Sequence, residues 1–326
     1  MPRVLVTAAG DDIGIGAMQS LMKADHPVIA VDMDPHSAGL HMADVGTTVP
    51  PATHHQWPAV MAEVVRDHKV DVVVPLVDDE LRELDRLQEA LWDEIPILVP
   101  RIGLVQQTLD KYESYKLLSD MDFPVPETCL LSDMTHFTDD DFPRFIKPRF
   151  GHGSRGTHLA HSLEEANSFA DQSGYDRDQL IIQEFIKGIE YSSNITVTRD
   201  NRLLSVVIKE TPIKRGMTVW GITRNHPLIK ESCVQIYEKL EPGGPMNVQQ
   251  MLSDDGTPYV LEINPRFSGS SCLNVEAGVN EFDLLVRDAV GESVEPIPEY
   301  YKGIGMIRYT DQIYIHEQDA FELWDY

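Results

Sequence analysis

The sequence is poor in cysteine and has no long apolar run. Its three cysteines, Cys129, Cys233 and Cys272, lie far apart and form no CxxC pair. This pattern argues against a structural zinc site and favours a reducing compartment. No apolar stretch approaches the ~20 residues that cross a bilayer, and the first residues read as a strand rather than a signal peptide. We therefore expect a cytoplasmic protein that has no membrane partner.

Basic side chains are also scarce, since Lys and Arg total 27 against 53 Asp and Glu, for a formal charge of -26. Such a surface repels nucleic-acid backbones and anionic lipid, which argues against both as partners. Excess acid is typical of halophilic proteins adapted to high intracellular salt, where screening masks the self-repulsion. That adaptation predicts a melting temperature that rises between low and molar KCl. A chain of 326 residues can bury a large core and should divide into two or three domains.

The most informative stretch is a predicted β-hairpin around residue 256. Residues 247–252 and 259–263 read as strands, and the Asp-Gly step between them is a strong hairpin signal. Alternate side chains of a strand share a face, so Glu262, Asn264 and Arg266 should line up together. The intervening proline has no N–H for a ladder, and the strand should therefore end there, where ligands can reach.

The register of this hairpin decides which side chains face one another. With a four-residue loop, 254–257, Gln249 lies opposite Glu262, whereas a slip of one residue turns Gln249 to the other face. We choose the first register because it gathers the carboxylate and amide oxygens that Mg²⁺ prefers beside an arginine suited to phosphate or carboxylate. The alternative is a solvated strand face that ends at a turn.

The segment MNVQQMLSDDGTPYVLEINPRFSGSS resembles the metal-binding hairpin of the ATP-grasp superfamily, and is most similar to the carbamoyl-phosphate-synthase large-subunit branch. The resemblance implies that Gln249, Glu262 and Asn264 hold Mg²⁺, or Mn²⁺ in its place, and that Arg266 faces the transferring phosphate of ATP. It also implies an α/β (α+β) fold with a Rossmann-like domain followed by a two-lobed ATP-grasp fold. The expected boundaries are 1–105 for the Rossmann-like pre-ATP-grasp domain, 106–182 for lobe 1 with a glycine-rich phosphate loop, and 183–326 for lobe 2 with the metal-binding hairpin.

The N-terminal region reads as a βαβ unit with a glycine-rich first turn and a helix over residues 17–23. Glycines in such a turn serve close packing whatever is bound, and the second half of the chain has no role in hydride transfer. We therefore prefer a packing or substrate-facing turn, and NAD binding is the alternative. The residues that match a short-chain dehydrogenase are Gly10, Gly14, Gly16, Asp32, Tyr112 and Lys116.

An acidic triplet, Asp78-Asp79-Glu80, follows the predicted strand 70–75. Open α/β sheets place ligands at the carboxyl ends of their strands, so the triplet could bind an amine. Acidic residues are also favoured at a helix N-terminus by the helix dipole, and this is the interpretation that we prefer.

A lysine and a glycine-rich loop point to phosphate. Lys147 lies in the apolar strand 145–148, where a buried ammonium needs a partner. The loop 151–156 can turn its N–H groups toward phosphate oxygens and can move as a lid, but it is not a Walker A loop because no Gly-Lys-Ser/Thr ends it. Residues 110–111 should open a helix that runs through residue 118. The alternatives are a plain glycine hairpin and, for the lysine at 111, a solvated helix position. The resemblance implies that two lysines and the glycine-rich loop bind the phosphates of ATP. The residues assigned to this role are Lys111, Lys147, Gly153, Ser154 and Arg155.

Residues 180–191 resemble the ATP-grasp hinge. The resemblance implies that Glu184 and Ile186 pair with the adenine edge through backbone groups, that Glu190 binds the ribose hydroxyls, and that Gln183 lies beside them. A buried strand capped by a polar turn is the alternative. Basic charge then concentrates over residues 209–224 of this acidic chain, which predicts an anionic ligand, either a triphosphate or a substrate carboxylate. We assign Lys209 to the nucleotide on this ground. An exposed hairpin with solvated lysines is the alternative.

These features predict an ATP-dependent carboxylate–amine ligase that acts on an amino acid or small metabolite through an acyl phosphate and releases ADP and phosphate. The sequence has room for one ATP-grasp copy, whereas the carbamoyl-phosphate-synthase large subunit carries two, so we do not expect carbamoyl phosphate as the product. The alternatives are a carboxylate or bicarbonate kinase, a non-catalytic ATP-binding protein and a dehydrogenase. The expected partners are a small-molecule carboxylate and amine, with a homodimer as one possible assembly.

Overall fold

The computed structural model describes residues 1–91, 95–151, 153 and 155–324. The N-terminal domain contains a four-stranded parallel sheet of order β3-β2-β1-β4. Its central strands are continuous apolar runs that are buried on both faces, as parallel sheets covered by helices require. A Rossmann-like domain is therefore confirmed. Its elements are β1 Val4–Val6, α1 Asp12–Met22, β2 Val28–Asp32, α2 Ala38–Met42, β3 Val45–Thr48, α3 Trp57–His68, β4 Val72–Val74, α4 Asp78–Arg82 and α5 Leu84–Ala90.

The next part of the chain forms a small lobe around a four-stranded sheet of order β5-β8-β6-β7. Two helices precede this sheet, and the second begins where the Asp110 carboxylate caps it by accepting the N–H of Tyr112 at 2.9 Å. Lys111 is therefore the first residue of a helix, as predicted. The elements are α6 Ile102–Leu109, α7 Lys111–Asp120, β5 Thr128–Leu130, β6 Arg144–Pro148, β7 His158–Ala160, α8 Leu163–Gln172 and β8 Leu180–Glu184.

The remaining chain builds a large lobe around a six-stranded antiparallel sheet of order β13-β12-β9-β10-β11-β14. Its central strands β9 and β10 are buried over residues 191–197 and 204–209 and become partly exposed toward the ends that reach the cavity. The predicted hairpin forms one edge of this sheet. The elements are β9 Gly188–Val197, β10 Leu203–Arg215, β11 Met217–Arg224, α9 Pro227–Leu240, β12 Met246–Ser253, β13 Pro258–Asn264, α10 Ser271–Glu276, α11 Glu281–Ala289 and β14 Gly305–Ile307.

The change from one sheet to the next differs from the predicted lobe boundary at 182–183. That boundary falls inside β8, which belongs to the small sheet, and the chain crosses to the large sheet over residues 185–187. Helices α6 and α7 precede the small sheet but pack on the large lobe, because Leu104 and Leu118 share a hydrophobic cluster with Val260 and Ile263 of β13. Helices α6 and α7 therefore belong to the large lobe by packing, although they come before the small lobe in the sequence.

The N-terminal domain and the large lobe share one hydrophobic core. Ala17 and Leu21 of α1 cluster with Val279 and Phe282 of the large lobe, and Phe282 stacks on Phe267 with ring centroids 4.2 Å apart. This packing brings the carboxyl ends of β1 and β4 next to the residues that follow β13. In the described part of the chain, no helix is both long and apolar enough to cross a bilayer.

Candidate functional site

The hairpin has the predicted register at the end that carries the oxygen ligands. Gln249 is paired with Glu262, and two residues further along Asn247 is paired with Asn264. Near the turn, however, Gln250 is paired with Val260, so Leu261 is an extra residue that bulges from β13. Without this bulge, Gln249 and Glu262 would lie on opposite faces of the hairpin.

The turn explains why a bulge is needed. The Ser253 N–H donates to the Thr257 carbonyl at 3.0 Å, and Gly256 has φ +87°, a left-handed conformation that glycine adopts without strain. Near the turn, these contacts fix a strand register that differs by one residue from the register at Gln249 and Glu262. The predicted pairing of Gln249 with Glu262 is therefore confirmed, but the predicted four-residue loop did not foresee the bulge that produces it.

A cavity of about 400 Å³ opens where the N-terminal domain, the small lobe and the large lobe meet. Ser154 lies outside the described residues. Of the other predicted site residues, all but Lys209 line this cavity. These lining residues are Lys111, Lys147, Gly153, Arg155, Gln183, Glu184, Ile186, Glu190, Gln249, Glu262, Asn264 and Arg266.

Lys209 is a correction. Its side chain is fully buried in the large lobe, and its ammonium donates to the side-chain oxygens of Asn194 at 2.5 Å and Asn274 at 3.0 Å. Burial lowers the pKa of Lys209 to about 8, while the buried carboxylate of Glu281 acts in the opposite direction. The basic stretch does supply a lysine to the cavity, but that lysine is Lys214. The pairing of β10 with β11 shifts register between residues 210 and 214, and local basicity alone does not show which of the two lysines faces the core.

Two lysines from different elements approach the same carboxylate. The Lys111 ammonium lies 3.6 Å from Glu262, and the Lys147 ammonium makes a long hydrogen bond of 3.5 Å to the carbonyl of Leu261, the bulged residue. Burial alone would raise the pKa of Glu262, but the charges of Lys111 and Lys147 outweigh burial and hold it below its ordinary value. Glu262 is therefore an anion at neutral pH, as a carboxyl group that ligates a metal must be.

For Lys147, in contrast to Glu262, the pKa shifts in the direction that burial favours. Burial lowers its pKa to about 8, Glu262 raises it, and the like charges of Lys111 and Lys214 lower it further. The ammonium is therefore charged at neutral pH and becomes neutral as the pH rises through about 8. Lys147 thus has the partners that the sequence required of a buried lysine, and its charge titrates close to neutral pH.

Lys214 links two predicted ligand sites. Its ammonium lies 2.5 Å from the Glu190 carboxylate and 3.1 Å from the amide oxygen of Gln249. The turn after Lys214 also meets the glycine-rich loop, because a Cβ on Gly216 would lie only 2.9 Å from the carbonyl oxygen of Gly153. From the other side, the Lys111 ammonium donates to the Gly151 carbonyl at 2.6 Å. The loop is therefore held at the cavity from two directions.

Arg266 is fixed by the N-terminal domain. Its Nε lies 3.1 Å from Asp78 Oδ1, its Nη2 donates to Asn264 Oδ1 at 3.3 Å, and its Nη1 donates to the Phe267 carbonyl at 3.1 Å. Asp78 is the first residue of α4, as the helix-dipole interpretation predicts, but it also forms this ion pair. A contact between residues 188 positions apart leaves no signal in a single sequence.

The hairpin fits a magnesium ion by the chemistry of its donors. Gln249, Glu262 and Asn264 all line the cavity and offer amide and carboxylate oxygens, which Mg²⁺ prefers. The Asn264 amide nitrogen is buried and has no hydrogen-bond partner among the described residues. Rotation of this amide would present its oxygen at the same point. Within those residues no cluster of three or more His, Cys, Asp or Glu side chains could hold a metal, so the hairpin is the candidate site.

The first turn of the N-terminal domain is closed by its own residues. The two oxygens of Asp32 accept the N–H groups of Gly10 at 2.7 Å and Asp34 at 2.9 Å. Helix α1 begins at Asp12 rather than at the predicted residue 17, so Gly14 lies inside the helix. In a dehydrogenase, this Asp32 carboxylate would accept the ribose hydroxyls of NAD, but here it already accepts two backbone N–H groups. This favours the packing interpretation of the turn.

Comparison with protein families finds two matches along the chain. Residues 4–98 match a profile described as "PylC-like, N-terminal domain", and residues 108–270 match one described as "ATP-grasp domain". A carbamoyl-phosphate synthase from Methanobrevibacter smithii is 27% identical over 263 residues, which is 73% of this chain and 70% of that protein. The two matches fall on the N-terminal domain and on the part of the chain that builds the cavity.

Two solved structures show the same fold. The N5-carboxyaminoimidazole synthetase from Staphylococcus aureus, complexed with ADP, has a TM-score of 0.74 at 16% identity, and the match covers 92% of this chain and 80% of that one. The L-amino acid ligase from Bacillus licheniformis has a TM-score of 0.69 at 16% identity, with 90% and 75% covered. At these identities the likeness shows a common fold.

Proposed function

Because this chain belongs to the ATP-grasp family, we propose that it is an ATP-dependent carboxylate–amine ligase that acts on an amino acid or small metabolite. One observation carries the proposal. Gln249 is paired with Glu262 in the hairpin, and Lys111 and Lys147 approach this pair within the same cavity. Oxygen ligands beside lysine ammonium groups suit a magnesium-bound triphosphate. An ADP complex among the structures of the same fold also supports a nucleotide in the cavity.

The cavity offers separate groups to each part of the nucleotide. Lys111, Lys147 and Arg155 would offset the phosphate charge, and Glu190 would accept the ribose hydroxyls. The Glu184 N–H already donates to the Glu127 carbonyl at 2.8 Å. Adenine recognition is therefore proposed for the Glu184 carbonyl and the Ile186 N–H. A nucleotide in this position would take over Lys214 from its present partner, Glu190.

The reaction needs little covalent chemistry from the protein. Mg²⁺ held by the hairpin would neutralise charge on the β- and γ-phosphates. A carboxylate oxygen of the acid attacks the γ-phosphate and forms an acyl phosphate with release of ADP, and an amine then displaces phosphate to form an amide. Arg266, which Asp78 orients, stabilises charge on the transferring phosphate, and the lysines hold the phosphates in line. Bound nucleotide and substrates would displace water from the cavity and so protect the acyl phosphate from hydrolysis.

A screen of acids and amines for ADP release tests this function, and Glu262→Gln is the deciding variant. We expect wild-type ADP release to require ATP, Mg²⁺ and an acid–amine pair, and the variant to lose it by at least about 100-fold, because a charged ligand is lost where charge develops. Circular dichroism should show that the fold is kept. Glu231→Gln, which removes a carboxylate from the exposed face of α9, is the matched control. Full activity of Glu262→Gln would remove the hairpin from the mechanism.

A carboxylate or bicarbonate kinase is the second candidate, and the similarity to a carbamoyl-phosphate synthase favours it. The two functions differ in what happens to the acyl phosphate. A kinase would release ADP with the acid alone, whereas a ligase would need the amine for sustained turnover and would form an amide. Omission of the amine from the same assay, with product analysis, separates them.

A further inference from the structure

The cavity has two chemically different sides. One side carries Lys111, Lys147, Arg155 and Lys214, which face the proposed nucleotide. The other side, which we call the acceptor wall, comes from the turn after β1, the residues after β4 and the residues after β13. The acceptor wall consists of Asp11, Ile13, Leu76, Val77, Ser268, Gly269 and Ser270.

Asp11 is the charged side chain of the acceptor wall. It precedes α1 but does not cap it, since its side chain accepts no hydrogen bond from the helix. Among the residues that the structure describes, its carboxylate has no hydrogen-bond or ion-pair partner. It is only partly exposed, on a cavity wall whose neighbouring side chains are apolar or hydroxyl-bearing. A half-buried carboxylate in such a place gains most from a cationic ligand.

The cations near the acceptor wall are already engaged. Arg266 is paired with Asp78 at 3.1 Å. Arg308 donates to the carbonyls of Gly269 and Thr218 and lies 3.5 Å from Asp12, and it does not line the cavity. In the described part of the cavity, the lysines lie with the proposed nucleotide site. The acceptor wall itself therefore carries one unpaired carboxylate and no basic side chain, and the nearest guanidinium, that of Arg266, is shared with Asp78.

We propose that the acceptor wall binds an amino group of one substrate through Asp11, and that this substrate carries no phosphate group. The proposal rests on the ligase function and adds the substrate class. A phosphate monoester would meet Asp11 with no cation to offset it, whereas an ammonium group forms a charge-assisted hydrogen bond there. The buried hydroxyls of Ser268 and Ser270, 2.9 Å apart, supply further polar contacts for a small polar amine.

Matched amines test this inference. The full chain is assayed for ADP release with ATP, Mg²⁺ and the best acid from the screen. The amines tested are the twenty amino acids and two matched pairs: serine with O-phosphoserine, and ethanolamine with phosphoethanolamine. We expect activity only with unphosphorylated amines. With the best amine, Asp11→Asn should raise its KM by about 10- to 100-fold, the range for one charge-assisted hydrogen bond. The KM for ATP should change by less than about 2-fold, and Asp11→Glu should recover part of the loss.

Asp79→Asn is the control, because it removes an exposed carboxylate of the same domain that does not line the cavity. It should leave both KM values unchanged. A preference for a phosphorylated amine, or an Asp11→Asn variant that behaves like the control, would overturn the inference and leave the ligase function standing. Absence of ADP release by the wild type with every pair would overturn the ligase function, and the inference with it.

Discussion

Two glycine-rich turns of this molecule have similar composition and opposite surroundings. In the first turn of the N-terminal domain, a Cβ on Gly10 would lie 2.2 Å from Ser37 Oγ, and a Cβ on Gly14 would lie 2.2 Å from the Ala8 carbonyl oxygen. In the loop beside the cavity, residues 151–156, a Cβ on Gly151 or Gly153 would meet no atom within 4 Å among the residues that the structure describes. The first turn therefore needs glycine for space.

The cavity loop needs glycine for a different reason. Gly151 has φ +115° and Gly153 has φ +67°, conformations that other residues rarely adopt. Open space next to such a backbone is what a ligand requires for close approach of N–H groups. Glycine spacing alone does not separate a packed turn from a binding loop, and the two respond differently to the same substitution.

The largest effect should come from Gly14→Ala. The added methyl group would overlap a backbone carbonyl that cannot rotate away, so we expect a loss of about 3 kcal/mol or more in the free energy of unfolding by urea. Gly16→Ala in the same helix is the control, because its Cβ would lie 3.5 Å from Cys272 in ordinary contact. That variant should be neutral or gain up to about 1 kcal/mol from helix propensity. Equal losses in both variants would contradict the packing role of Gly14.

A smaller effect is expected from Lys147→Ala, which removes the ammonium beside the cavity loop. MgATP affinity by calorimetry should fall by about 10- to 100-fold, the range for a lost charge-assisted hydrogen bond. In the wild type, the ammonium is present below its lowered pKa of about 8 and is lost above it, so affinity should decrease from pH 7 to pH 9. The variant should show a flatter profile. Lys187→Ala, which removes an exposed lysine outside the cavity, should match the wild type, and an unchanged affinity of Lys147→Ala would exclude the phosphate assignment.

The smallest effect on folding should come from Gly153→Ala. In the described part of the chain no atom opposes the methyl group, so the expected cost is that of the left-handed backbone, about 1 kcal/mol. MgATP affinity should nevertheless fall several-fold as the loop changes conformation. Gly174→Ala carries the same backbone strain, with φ +76° and open space, but lies outside the cavity and should leave MgATP affinity unchanged. Similar MgATP affinities of the two variants would refute a special role for the cavity loop.

The sequence predicted what depends on local patterns. The N-terminal sheet, the start of α7 and the pairing of Gln249 with Glu262 were all within its reach. The bulge in β13 also left a trace in the spacing of apolar residues, which the assumption of strict alternation along the strand concealed. Val260 and Ile263 stand three positions apart, so a regular strand would turn them to opposite faces, yet both pack into the same hydrophobic cluster. Spacing of apolar residues along the second strand could therefore have revealed the extra residue.

Other features depend on contacts between distant parts of the chain. The pairing of Arg266 with Asp78, the burial of Lys209 and the packing of α6 on the large lobe are set by tertiary structure. Asp11 was passed over because it stood in a turn judged by its glycines. A role for a charged residue in such a turn can be inferred only when the structure shows which cavity it lines and which charges lie across that cavity.

The bulge at Leu261 has a consequence for the tolerance of the site to amino-acid replacement. The oxygen that meets the Lys147 ammonium belongs to the main chain, so every amino acid at position 261 supplies it. Glu262, the next residue, contributes through its side chain and is lost by a single replacement. Of two adjacent positions that serve the same lysine, one therefore keeps its oxygen through any amino-acid replacement, and the other does not.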